Sequence, residues 1–145
     1  MMKVGMIGLG RMGEGMARRM MKADIEVWGY RRNYAKAQES YEKGYVSGVT
    51  TDLESLVQVV HNQDGLVGKA AGIFQLVIPA ELVEETLNEL LPLLSDGDIV
   101  IDHGNSNFKD SRRRAERLSK LGIQYIDCGT SGGVYGLERG YCLMV

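Results

Sequence analysis

The hexapeptide Gly8-Leu9-Gly10-Arg11-Met12-Gly13 has the form G-x-G-x-x-G and stands between a short apolar run and an amphipathic one, an order few folds can use. The run before it, Lys3 to Gly8, reads as a buried strand. The run after it, Arg11 to Lys22, reads as a helix with Met12, Met16 and Met20 on one face, where flexible thioethers suit irregular core gaps. In such a strand–turn–helix the first glycine permits the turn, the second lets backbone approach a pyrophosphate, and the third allows close helix–strand packing. The helix start then offers unpaired N–H groups and a positive dipole end to phosphates. The same glycines can also serve as a plain tight turn, so the rest of the chain has to decide.

The rest of the chain repeats the alternation. Ile25 to Tyr30 predicts a second strand, and Asn33 caps a helix to Lys43 with Gly44 just past its end. Tyr45 to Val49 predicts a third strand, and Thr51 or Asp52 caps a helix through Val60. The stretch from His61 to Gly72 reads as a loop. Strand Ile73 to Ile78 precedes a helix from Ala80 to Leu94, which Pro92 should end or kink near Leu91. Strand Asp98 to Asp102, a basic helix from Phe108 to Leu121, strand Ile123 to Asp127 and a last strand over Tyr141 to Val145 complete the chain. Strict alternation implies βαβ units. The expected class is therefore α/β, a Rossmann-type doubly wound, mostly parallel sheet flanked by helices, as one domain over residues 1–145.

Composition narrows the function classes. At 145 residues, 44 % apolar and 25 % charged, the chain can bury a core without disulfides or metals. The net charge of −2 argues against a nucleic-acid binder. Arg112, Arg113, Arg114 and Arg117 are interrupted by Asp110 and Glu116 and read as a solvated helix face. Cys128 and Cys142 form no CxxC pair, and His61 and His103 lie far apart, so no metal site is expected. The start, MMKVGMIGLG, is apolar but lacks a signal peptide's basic leader and cleavage site, and is too short for a membrane span. A cytoplasmic protein is expected.

The end of the second strand bears on the cofactor. An NAD enzyme usually has an acid there for the ribose 2′-hydroxyl. This chain has Tyr30-Arg31-Arg32-Asn33 and no acid. Two guanidinium groups suit a 2′-phosphate, which favours NADP with NAD as the alternative. Two solvated arginines at a strand end are the plainer reading.

Two further motifs are more specific. Ile99-Val100-Ile101-Asp102-His103-Gly104-Asn105-Ser106-Asn107 is followed by Asp127-Cys128-Gly129-Thr130-Ser131-Gly132-Gly133-Val134-Tyr135-Gly136-Leu137-Glu138-Arg139-Gly140-Tyr141-Cys142-Leu143-Met144. This pairing of GNS with SGG resembles the 6-phosphogluconate dehydrogenase family, the decarboxylating enzymes of the pentose phosphate pathway, and most of all their shorter bacterial form. The resemblance spans the chain but only the family's N-terminal domain. It implies that Gly8, Leu9, Gly10, Arg11, Met12 and Gly13 hold the pyrophosphate and that Arg31, Arg32 and Asn33 read the ribose. It places Val77, Ile78 and Pro79 beside the cofactor. Asn105 would bridge nicotinamide and substrate, and Ser131, Gly132 and Gly133 would bind the sugar-acid phosphate. The chemistry fits: Asn105 can donate and accept, and Ser131 with two glycines offers a hydroxyl and unobstructed N–H groups.

The family's reaction oxidises 6-phosphogluconate to ribulose 5-phosphate with loss of CO2, using a lysine base and a glutamate acid from a helix beyond this sheet. Neither lies in these 145 residues, so no catalytic residue is expected here and little turnover. The resemblance also implies a homo-oligomeric parent enzyme, and without its helical domain apolar surface near residues 130–145 should be exposed. The chain departs from the family at His103 and Glu81, both usually glycine, and at Arg31, where the shorter form often has Asp. Val60-His61-Asn62 looks like the family's catalytic V-H-N run but lies before the fourth strand, with Gln58 where the lysine would be. Gly68-Lys69 lacks the earlier glycine of a P-loop. A non-catalytic nucleotide-binding module and the cofactor domain of another β-hydroxyacid dehydrogenase are the alternatives.

Overall fold

The computed structural model describes residues 1–63 and 70–145. Part of the expected loop from His61 to Gly72, and the Gly68-Lys69 pair, lie outside the described residues.

Six strands form one parallel sheet: β1 (Lys3–Ile7), β2 (Glu26–Tyr30), β3 (Gly48–Thr50), β4 (Ile73–Leu76), β5 (Ile99–Asp102) and β6 (Gln124–Asp127), in the order β3-β2-β1-β4-β5-β6. β1 pairs with β2 and β4, and all five of its residues are buried. That is why its sequence is a continuous apolar run rather than an alternating one.

Helices cover both faces. On one side, α1 (Arg11–Met21) and α2 (Tyr34–Glu42) pack with Val4, Met6, Val27 and Val46. Met16 is buried there, and Met12 and Met20 pack against the same cluster, as their spacing suggests. On the other side, α3 (Leu53–His61), α4 (Ala80–Leu90) and α5 (Phe108–Ser119) close over a larger core of Leu56, Val60, Phe74, Leu76, Leu87, Val100 and Leu118.

The element ends follow local chemistry. Asp52 is the cap of α3, its Oδ1 accepting from the Ser55 N–H at 2.7 Å. Pro92 does end α4, and the chain continues as one 3-10 turn over Leu91–Leu93. His61 is the last residue of α3, not a loop residue, and its Nε2 lies 2.9 Å from Asp98, whose carboxylate also accepts from the Gly72 and Ser95 N–H groups. The third strand starts at Gly48 rather than Tyr45. The Trp28 ring fills the space a side chain would take at Gly48, and Ser47 is spent on the Val27 backbone before pairing starts.

The C-terminal segment forms its own hairpin. β7 (Gly129–Ser131) pairs antiparallel with β8 (Cys142–Met144). The final strand was expected, but β7 was not, and the pair lies outside the parallel sheet. Between them sits a short helix, α6 (Gly136–Arg139), tied to α1 by Arg19 donating to the Leu137 carbonyl at 3.0 Å. The Tyr141 ring is wedged between α1 and α6: a Cβ at either Gly15 or Gly136 would lie 2.1 Å from its atoms.

The basic helix departs from expectation. Arg112 is exposed, but Arg114 is buried, with Nε 2.9 Å from Glu84 and Nη1 3.1 Å from the Ser106 hydroxyl. Arg113 and Arg117 also reach Glu84. Three of the four arginines thus bind α5 to α4. The hydrogen bonds and charges of Arg114, and after it Arg113, hold the Glu84 carboxyl below its usual pKa.

Candidate functional site

A cleft of about 310 Å³ opens where the strand order reverses between β1 and β4, at the carboxyl ends of the strands. Its floor is laced by backbone. The Gly8 N–H donates to the Tyr30 carbonyl at 3.0 Å and the Val77 N–H to the Ile7 carbonyl at 2.8 Å. Gly8, Leu9, Gly10, Arg31, Arg32, Val77, Ile78 and Pro79 all line it.

The three glycines have three different surroundings. Gly8 has φ +103°, and a Cβ there would lie 2.2 Å from the Val77 carbonyl oxygen. At Gly13 a Cβ would lie 2.1 Å from the Gly8 oxygen, so helix and turn touch backbone to backbone. At Gly10 a Cβ meets nothing within 4 Å. Gly10 is also the N-cap of α1 and provides no side-chain cap. The start of α1 therefore has no side-chain cap, and the space beside Gly10 is open. Room, donors and dipole together fit a pyrophosphate.

The remaining predicted residues divide. Met12 packs into the core. Asn33 accepts from the Lys36 N–H at 3.2 Å and so caps α2. Arg31 donates from Nη1 to the Leu9 carbonyl at 2.9 Å, while Arg32 reaches across to α4. Arg11 does not line the cleft and instead borders a depression shared with Gly133, Val134 and Tyr141.

Asn105 lies outside the lining of the cleft. It sits in the turn after β5 at φ +54°, a conformation asparagine tolerates better than most residues. Asp102 shapes this turn: fully buried, it accepts from the Gly104 N–H at 2.7 Å and the Ser106 hydroxyl at 2.6 Å. Tyr125 also donates to Asp102, and burial together with that carboxylate pushes its hydroxyl well above the usual tyrosine pKa. The Thr130 N–H donates to Asn105 Oδ1 at 3.2 Å, bringing the GNS turn against β7. Ser131 and Gly132 follow at the exposed end of β7, with Gly132 at φ +141° and Gly133 at φ +49°.

His103 is buried and bridges two strands, with Nδ1 2.7 Å from Thr130 Oγ1 and Nε2 3.1 Å from Gln75 Oε1. Burial lowers its pKa below the usual histidine value. Cys128 is buried nearby, and burial pushes its thiol pKa up, which disfavours the thiolate. Glu81 is exposed and does not line the cleft.

Sequence reading missed the α4 side of the cleft, formed by Leu82, Thr86 and Glu89. Their spacing, i, i+4 and i+7, is the signal that places them on one helical face.

Residues 3–145 match the family model for the NAD-binding domain of 6-phosphogluconate dehydrogenase. The chain belongs to that family. It is 36 % identical over 144 residues to the NAD(+)-dependent, decarboxylating 6-phosphogluconate dehydrogenase of Haloferax volcanii, covering 99 % of this chain and 44 % of the relative. The solved 6-phosphogluconate dehydrogenase of Plasmodium falciparum superposes with a TM-score of 0.82 at 26 % identity, covering 98 % of this chain and 30 % of that one. A 3-hydroxyisobutyrate dehydrogenase from Salmonella typhimurium shares the fold, with a TM-score of 0.78 at 24 % identity, covering 99 % of this chain and 47 % of that one. The chain spans less than half the length of the curated relatives it matches. Among the described residues no cluster of metal-ligating side chains occurs and no helix is long and apolar enough to cross a membrane.

Proposed function

We propose that this chain is the cofactor-binding part of an NADP-preferring, cytoplasmic 6-phosphogluconate dehydrogenase, and that it binds the dinucleotide but turns over little by itself. The observation that carries the reading is the open space beside Gly10 at the uncapped start of α1, in a cleft that Arg31 and Arg32 also line. In this reading the Gly8–Gly13 backbone holds the pyrophosphate and the arginines the 2′-phosphate. Val77, Ile78 and Pro79 flank the nicotinamide half. Asn105, set by Asp102 and Thr130, faces both nicotinamide and substrate. Ser131, Gly132 and Gly133 take the sugar-acid phosphate. The nicotinamide supplies hydride acceptance; the residues of this chain orient and bind.

Titration of the chain with NADPH and with NADH tests this. NADPH is expected to bind more tightly. Arg31→Asp is expected to weaken NADPH by about tenfold or more, because a charge-assisted hydrogen bond is lost and a like charge gained. NADH should be spared or improved. Failure of both cofactors to bind the folded chain would remove the reading.

A further inference from the structure

The arginine pair at the ribose end of the cleft is not electrically free. Arg32 Nη2 lies 2.9 Å from Glu85 Oε1 and 3.3 Å from Glu89 Oε1, so one nitrogen faces two carboxylates of α4. These hydrogen bonds and charges, Glu85 first, raise the Arg32 pKa further above its usual value. Glu89 itself lines the cleft. Arg31 is instead held by a neutral acceptor, the Leu9 carbonyl. The sequence shows two cations at the end of β2; the fold adds two anions beside the second of them, Arg32.

We propose that Glu85 and Glu89 set the cofactor preference of the cleft by competing with a ribose 2′-phosphate for Arg32. The inference rests on the dinucleotide reading above and adds residues from an element that reading does not use. A 2′-phosphate carries close to two negative charges and must either displace both carboxylates or settle for Arg31. Displacement is easy, since all three side chains are about half exposed and ion pairs of that kind hold weakly. The displaced carboxylates stay nearby on α4 and continue to repel the phosphate. A ribose 2′-hydroxyl carries no charge and meets no such repulsion. The two glutamates thus narrow a preference for NADP that the arginines alone would make wide.

The experiment measures NADPH and NADH dissociation constants for the wild-type chain, for Glu85→Gln/Glu89→Gln, and for the control Glu39→Gln/Glu116→Gln. The control removes the same charge from exposed positions outside the cleft. All these positions are exposed, and circular dichroism checks that each variant folds. The cleft variant is expected to bind NADPH about five- to tenfold more tightly at low salt and NADH within about twofold, with the gap closing as salt rises. The gain should shrink in an Arg32→Met background, because competition needs the arginine. An unchanged NADPH/NADH ratio in the cleft variant, with both cofactors bound by the wild type, overturns this inference and leaves the cofactor reading standing. So does an equal shift in the control. Absence of binding of either cofactor to the wild type overturns both.

Discussion

His103 shows how one buried side chain is made compatible with its surroundings. Its Nδ1 lies 2.7 Å from Thr130 Oγ1, whose hydroxyl also donates to the Cys128 carbonyl at 3.0 Å, and its Nε2 lies 3.1 Å from Gln75 Oε1, so both ring nitrogens have a polar neighbour. Burial holds its folded pKa below the unfolded value of about 6.5. The unfolded chain therefore takes up the proton first as the solution is acidified. This contribution to stability is complete above about pH 6.5 and is lost as pH falls toward the folded pKa. Urea unfolding between pH 8 and 5 should show the wild type losing stability faster than His103→Gln over that window. Parallel curves would mean that the ring titrates alike in both states. Asn105 makes a second point at this scale. Its residue type suits a ligand, but it also suits φ +54° and the bond from Thr130. Sequence alone points to the first use and is silent on the second.

Elements were legible where the pattern was local. The Gly8–Gly13 turn, the Asn33 and Asp52 caps and the break at Pro92 each depend on residues within one turn of one another, and each stands in the structure. What was not legible depends on partners distant in sequence. Nothing near Arg114 announces that Glu84, thirty residues earlier, neutralises it in a buried position. Nothing near Arg32 announces Glu85. Strand β7 is three residues long, has glycine at its first position, and owes its existence to β8. The docking of that hairpin gives a test at the element scale. Gly15→Ala places a methyl group against the Tyr141 hydroxyl and should cost about 1–3 kcal/mol of stability, read by urea denaturation. Tyr141→Phe removes the clashing atom and should restore much of the loss. A Gly15→Ala variant as stable as the wild type would show that the hairpin is held by something else.

At the scale of the molecule, the two faces of the sheet are unequally dressed. Three helices cover one face. Among the described residues the other has α1 and α2 over β1 to β3 and the hairpin beyond them, with a groove of about 440 Å³ lined in part by Ile101, His103, Ile126, Cys128, Tyr141, Leu143 and Val145. Leu143 and Val145 in its lining, and Val134, Tyr135 and Met144 elsewhere in the same C-terminal segment, are each exposed by half or more. Apolar surface gathered in this way drives association. Light scattering on the 145-residue chain should show a mean mass that rises with concentration, and Met144→Lys should suppress the rise. A constant monomer mass at high concentration would speak against it.

The Tyr141 wedge also bears on the order of events during synthesis. Helix α1 leaves the ribosome early and carries the start that faces the cleft. Its outer flank, at Gly15 and Arg19, gains its partners only when Leu137 and Tyr141 emerge. A nascent chain can thus build its sheet from the front, yet the helix next to the glycine turn stays loosely seated until translation reaches Tyr141. Cofactor capture by a growing chain should accordingly wait until Tyr141 has been added and has reached its seat.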